Sequence, residues 1–340
     1  MHGLYLLWWV GERGISPAIV AMILAAGDLA LIGLELPAGW FADRFGHRAS
    51  LIIGSVAQVL GMLACWLGEG VPELIAAAIL VALGDAFRSG ADEALLYQTC
   101  VALRREDDFQ KIESRTRAAG LIALVALLIA GGFIVSQLGF AVAWAVETAL
   151  CALGLGIACA MVEPLDRARI ATSGGELEPS PRESGCPAPS RSRGRLMVLI
   201  LPVALIGGLA SAASFLVQTE GILPPETLTA VVAGITLAEA AGAALAGRVP
   251  DIGVRHLWLG LTVGAAVAAT TVGLPSGVLV AAVALSFVHG LMHPLRATLL
   301  QHGAADHARA RVASLASACD VACSAVAMSV AGGWRGGRRS

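Results

Sequence analysis

The sequence predicts an all-α, polytopic membrane protein, and three observations predict it: an apolar composition, apolar runs of bilayer length, and basic residues gathered on one side of those runs. Hydrophobic residues make up 57% of the 340-residue chain and charged residues 14%, with a mean hydropathy of +0.77. A soluble domain needs a wettable surface that this composition does not supply, so lipid is the expected solvent. The net charge of -2 and the pI near 6.4 exclude the basic footprint of a nucleic-acid-binding protein. The 40 glycines suit helices that approach one another closely in lipid. Most of the 7 cysteines fall inside apolar runs and read as small core residues rather than disulfide partners or metal ligands.

A helix crosses the hydrocarbon core in roughly 20 apolar residues. Runs near that length cover residues 17–41, 49–67, 72–99, 118–138, 140–162, 196–217, 228–246, 257–274, 278–300 and 312–332. Residues 1–10 read as the outer part of a first span. The expectation is therefore about eleven transmembrane segments, the first partial and a twelfth missing, as in a chain shortened at both ends.

Lys and Arg are retained on the cytoplasmic side, which orients the spans. Arg44 and Arg48 follow the second span, and Arg104, Arg105, Lys111, Arg115 and Arg117 follow the fourth. A central group (Arg167, Arg169, Arg182, Arg191, Arg193, Arg195) follows the sixth, then Arg248 and Arg255, then Arg296, Arg309 and Arg311 around the last such loop. The opposite loops carry Arg13 among acids such as Glu69 and Glu73. Even-numbered spans therefore run inward, and only the tail with Arg335, Arg338 and Arg339 breaks the alternation.

Residues 163–194 are rich in Pro, Ser, Gly, Glu and Arg and bury too little apolar surface to fold alone. They read as a flexible cytoplasmic linker between an N-terminal six-helix bundle (1–162, its first helix partial) and a C-terminal bundle of about five helices (195–340). Two such halves are the plan of many secondary transporters.

The loop after the second span reads Gly39-Trp40-Phe41-Ala42-Asp43-Arg44-Phe45-Gly46-His47-Arg48. It resembles the G-x-x-x-D-R-x-G-R-R/K signature of the major facilitator superfamily (MFS), with His47 where a basic residue is usual. A degraded copy follows the eighth span, where Gly247 and Asp251 keep the Gly-to-Asp spacing and Arg255 arrives one residue early. The stretch from Ser89 to Thr99 also resembles the fourth helix of a bacterial branch of that superfamily. The resemblance implies the MFS-type two-bundle helical fold and a loop (Gly39, Asp43, Arg44, Gly46, Arg48) that latches the two halves in the outward-facing state. It implies a central cavity lined by the first, fourth, seventh and tenth helices. Two departures weigh against proton-driven drug export: Leu80 stands where proton-coupled members often carry Arg, and residues 127–132 keep only the glycine pair of the drug-antiporter motif.

An ionisable group inside a span costs a few kcal/mol on insertion scales, so each is a candidate for function. Asp85, Arg88 and Asp92 fall at i, i+3 and i+7 of the fourth span and share a stripe that cannot face lipid. Asp28 on the second span is a candidate proton carrier, with structural pairing to Arg88 as the rival reading; Glu35 belongs with the gating network around Asp43. Asp92 and Glu93 lie nearer the cytoplasmic end, where a helix-holding network is the alternative to transport. His289 and His293 stand one turn apart on the tenth span, as cavity-lining or hydrogen-bonding groups. No third ligand beside them is visible in the sequence, and no metal or cofactor is expected.

The expected function is secondary active transport of a small organic solute, as efflux, across the inner (plasma) membrane. An ion gradient, with proton coupling, would supply the energy, since no GxxxxGK[ST] phosphate loop is present. The expected partners are the solute and membrane lipid, with no nucleic acid, and the expected state is a monomer. A non-transporting remnant of such a protein is one alternative. A membrane-embedded metal-dependent enzyme, suggested only by the HxxxH of the tenth span, is the other; an enzyme is not expected.

Overall fold

The computed structural model describes residues 7–164, 193–219, 225–250, 253–271 and 277–336. Among them are eleven α-helices and no strand. They are α1 (Pro17–Phe45), α2 (His47–Leu67), α3 (Val71–Arg88), α4 (Ala91–Ala102), α5 (Phe109–Leu138) and α6 (Phe140–Ala160), then α7 (Arg193–Thr219), α8 (Pro225–Ala246), α9 (Val254–Thr271), α10 (Gly277–Gly303) and α11 (Arg309–Gly336). A short π-helical segment, Leu7–Glu12, precedes α1. Nearly all of the expected linker, Asp251 of the second motif and the start of the partial first span lie outside the described residues.

Nine stretches of the described residues are long and apolar enough to cross a bilayer, and the shorter Val254–Thr270 is a tenth apolar helix. Local chemistry sets the ends. Ser16 accepts a hydrogen bond from the Ile19 amide at 3.3 Å and Pro17 opens the first turn of α1. Lipid-facing positions carry large apolar side chains, such as Ile129 and Phe133 on α5. Water does not drive helices together in lipid, so association rests on close packing and polar contacts.

Two features depart from the sequence expectation. The fourth span is broken into α3 and α4 at Ser89 and Gly90, where Gly90 adopts the left-handed conformation (φ 71°). A side chain there would come within 2.9 Å of the Ala310 carbonyl and the Ser314 amide, so glycine both permits the turn and lets α11 approach. The fifth span starts at Phe109 rather than 118, so Arg117, read as a loop residue, lies within a helix.

Helices α1–α6 pack on one another chiefly through α1 with α3, α2 with α3 and α2 with α6. Helices α7–α11 do so through α8 with α10 and α7 with α10 and α11. The two groups meet along two helix pairs, α1 with α11 and α5 with α8. One apolar core gathers Ile200, Ile206, Leu257, Leu285, Met292 and Leu300; another gathers Trp9, Val20, Met62, Leu74 and Trp144.

Candidate functional site

Glycines set the distance between α8 and α10. A side chain on Gly290 would run into the backbone carbonyl of Glu239, and one on Gly242 into that of Phe287. This close crossing brings the Glu239 carboxylate to the α10 face that carries His289. Glu239 Oε1 stands 3.0 Å from Arg117 Nη2 of α5 and 3.3 Å from His289 Nδ1. One carboxylate oxygen thus joins a cation from the first group of helices to an imidazole from the second. One turn along, the His293 ring meets His289 edge to face, with centroids 6.0 Å apart.

Arg296 continues that face and is 3% exposed. It donates a fork of two hydrogen bonds to Asp320 of α11, at 2.6 and 2.7 Å. A buried guanidinium needs such a planar partner, and a carboxylate satisfies both of its forward donors. Sequence counted Arg296, near the end of the 278–300 run, with the cations around the last loop; it lies inside the helical body and holds α10 to α11.

All of these groups but Arg296 line a cavity of about 400 Å³ between α5, α7, α8, α10 and α11. Its wall carries Arg117, Glu239, His289, His293 and Asp320, with hydroxyls from Ser211, Ser214, Thr236, Ser286 and Ser324. Ser211 and Ser324 are themselves hydrogen-bonded at 3.2 Å. A cavity with paired charges and many hydroxyls suits a polar solute, because each ligand hydrogen bond has a partner waiting.

A second, larger cavity of about 710 Å³ lies within α1–α6. Asp28, Asp85, Arg88 and Asp92 all line it, with Gln58 and Glu147. The stripe expected from spacing is therefore present despite the break at Gly90. Glu93 turns the other way. Its carboxylate meets Glu113 of α5 and His293 of α10, and the ligand atoms of all three lie within 4.8 Å of one another. Consecutive residues of α4 thus face different surroundings, and the two histidines that sequence placed together part company: His293 lies beside Glu93 and Glu113, while His289 meets Glu239.

The basic ends of the helices are locked together. Asp43 accepts hydrogen bonds from the Ala310 and Arg311 amides at 2.9 and 3.2 Å and from Arg311 Nε at 2.9 Å. A carboxylate at a helix N-terminus satisfies amides that the helix leaves free and meets its positive end. Gly39 makes room for this, since a side chain there would stand 2.8 Å from Ser314 Oγ. Deeper on the same helix pair, the fully buried Glu35 accepts from Ser317 Oγ at 2.6 Å. Arg44 stacks over Trp40 and Phe45. Gly46, at φ 106°, turns the chain so that the His47 amide donates to Glu163 at 2.7 Å and Arg48 donates to the Cys159 carbonyl at 2.6 Å. The motif thus splits: Gly39 and Asp43 reach α11, while the His47 amide and Arg48 tie α2 to the end of α6.

The degraded copy occupies the equivalent place on the other helix pair. Gly247 faces Ser114 and Lys111 of α5, and Gln110 Nε2 donates to the Ala246 and Val249 carbonyls at 2.6 and 2.9 Å. Arg255 is exposed at the start of α9. Sequence reasoning missed Gln110, Glu113 and the pairing of Arg117. The signal for Arg296 was available, because His289, His293 and Arg296 fall at i, i+4 and i+7.

Solved structures share this architecture. The Escherichia coli fucose:proton symporter matches with a TM-score of 0.64 at 13% identity, over 96% of this chain and 88% of that one. A proton:xylose symporter bound to 6-bromo-6-deoxy-D-glucose matches at 0.65 and 15% identity, over 95% and 82%. The human organic anion transporter TETRAN matches at 0.67 and 15% identity, over 97% and 83%. At such identities the likeness is one of fold. No curated protein matches the chain in sequence. The family model described as Major Facilitator Superfamily matches residues 1–328, and the chain belongs to that superfamily.

Proposed function

We propose that this protein is a secondary active transporter of the plasma (inner) membrane, moving a small polar organic solute through the cavity bounded by α5, α7, α8, α10 and α11. The observation that carries the reading is the Arg117–Glu239–His289 chain. It sets a carboxylate with two exchangeable partners on the wall of a solute-sized cavity, where α5 of one bundle meets α8 and α10 of the other. In the lipid interior such charges are costly and persist where they serve transport or pairing.

Alternating access then follows from the two cross-bundle helix pairs. With Asp43 and Gln110 holding the basic, cytoplasmic ends together, release of those contacts opens the inner side, and rocking of the bundles closes the outer one. A proton gradient would act on Glu239, because protonation weakens its hold on Arg117 and so on the contact between bundles. Among the structural relatives, two are named proton symporters of sugars and one an organic anion transporter. Both solute classes suit a wall of hydroxyls with an arginine.

The test uses the full chain, as a monomer, in proteoliposomes loaded with a pH-sensitive dye. Pentoses, hexoses and small carboxylates are offered on either side, so that efflux, the direction expected from the sequence, and uptake are both read. Solute-dependent proton movement that Glu239→Gln abolishes supports the proposal. Solute flux unaltered by Glu239→Gln removes that carboxylate from the mechanism.

A further inference from the structure

Glu93, Glu113 and His293 come from α4, α5 and α10, and none of them belongs to the Arg117–Glu239–His289 chain. Glu113 is 8% exposed, and among the described residues its carboxylate has neither hydrogen bond nor ion pair. His293 Nδ1 is likewise buried without a hydrogen-bond partner. Buried polar groups in proteins are nearly always satisfied, so a buried imidazole nitrogen without a partner on the same cluster as a buried, unpaired carboxyl side chain calls for a ligand.

The charges around the cluster narrow what that ligand is. The neighbouring cations are Arg117 and Arg296, and both are already engaged, by Glu239 and by the fork on Asp320. Those two pairs sum to zero. Glu93 and Glu113 remain as two carboxylates without a counter-charge, with Asp92 next to Glu93 in the chain. A cation with a charge of about two balances such a pair in a low-dielectric setting.

We propose that Glu93, Glu113 and His293 form a binding site for a divalent transition-metal cation of the zinc and manganese class. Imidazole nitrogen with carboxylate oxygens suits these ions, whereas magnesium and calcium favour all-oxygen sites. Around a tetrahedral zinc the ligand atoms stand about 3.4 Å apart, given bond lengths of about 2.0–2.1 Å. Binding of the ion would draw the ligand atoms, now within 4.8 Å of one another, to that spacing. His293 also lines the 400 Å³ cavity, which gives the ion an entry path.

The site has a mechanical consequence. Two ligands stand on α4 and α5 and the third on α10, across the junction between the two groups of helices. The ion therefore binds best to the arrangement in which the cytoplasmic ends are joined, and favours it by its differential affinity. The inference is independent of the transported solute and of Glu239, so it stands or falls apart from the transport reading.

The test is metal binding by the full-length, tag-free protein in detergent, stripped with chelator and dialysed against zinc chloride or manganese chloride. The expected results are one ion per chain by elemental analysis, a raised unfolding temperature, and X-ray absorption showing one histidine nitrogen with oxygen ligands. Glu113→Gln and His293→Asn should each weaken binding at least tenfold, while Cys319→Ser with Cys323→Ser leaves it unchanged. Should Glu113→Gln fail to fold, Glu93→Gln takes its place. Absence of stoichiometric metal, sulfur in the absorption spectrum, or binding that survives both Glu113→Gln and His293→Asn overturns the proposal; neutralisation by protons alone would give the first of these results.

Discussion

Asp43 and Arg311 are joined twice, through the arginine's backbone amide and its side-chain Nε, and the same carboxylate also holds the Ala310 amide. A single residue at the end of α1 therefore both caps α11 and pairs with its first turn. Hydrogen bonds to a charged group contribute about 1.5–3 kcal/mol each. Asp43→Asn, which keeps an acceptor and loses the charge, should lower the equilibrium constant for the joined state roughly tenfold or more, since about 1.4 kcal/mol is one decade. Spin labels at Phe45→Cys and His307→Cys, on a background with the native cysteines as serine, should report longer distances in the variant. An unchanged distance distribution would show that the cap does not hold the two bundles.

Glu239 should behave as a shared partner. Removing it strands Arg117 and the His289 imidazole together, and breaking a buried pair from one side costs about 3–5 kcal/mol, less here because both side chains retain some exposure. Glu239→Gln should lower the unfolding temperature. Arg117→Gln with Glu239→Gln should be more stable than the sum of the single effects, which a double-mutant cycle measures. Strict additivity would mean that the pair is not coupled.

The α8–α10 crossing gives a steric prediction. Gly290→Val forces a side chain against the Glu239 backbone, and overpacking of this kind costs about 1–3 kcal/mol or more. Gly234, on the same α8, has open space around its Cα, so Gly234→Ala should be neutral or stabilising by up to about 1 kcal/mol through helix propensity. Thermal unfolding of the two variants in detergent should move in opposite directions or differ sharply in size.

Orientation is checked by reporter fusions. Alkaline phosphatase fused after Arg104 or within the segment around Ser180 should be inactive, and fused after Gly68 it should be active. Reporters at Arg104 and Ser180 on opposite faces would undo the expected topology.

Much of the helical plan was legible because bilayer-length apolar runs and returning positive charges are one-dimensional signals. Asp85, Arg88 and Asp92 were grouped by their spacing, and all three line one cavity although the helix is broken between Arg88 and Ala91. The interruption itself was not legible, because Gly90 turns to admit α11, which lies more than two hundred residues away in sequence. Arg117 was counted as a loop cation and Arg296 with the cations around a loop, since each stands near the end of an apolar run; only the positions of Glu239 and Asp320 on other helices show why each can be buried. The cluster of Glu93, Glu113 and His293 draws on three helices and leaves no local spacing to read.

Asp92 and Glu93 are neighbours along α4, yet one faces the interior of the first six helices and the other the junction with the last five. One peptide bond thus separates the acids of two compartments. A substitution that shifts the start of α4 is therefore expected to disturb both at once, with the turn at Gly90 standing between it and α3.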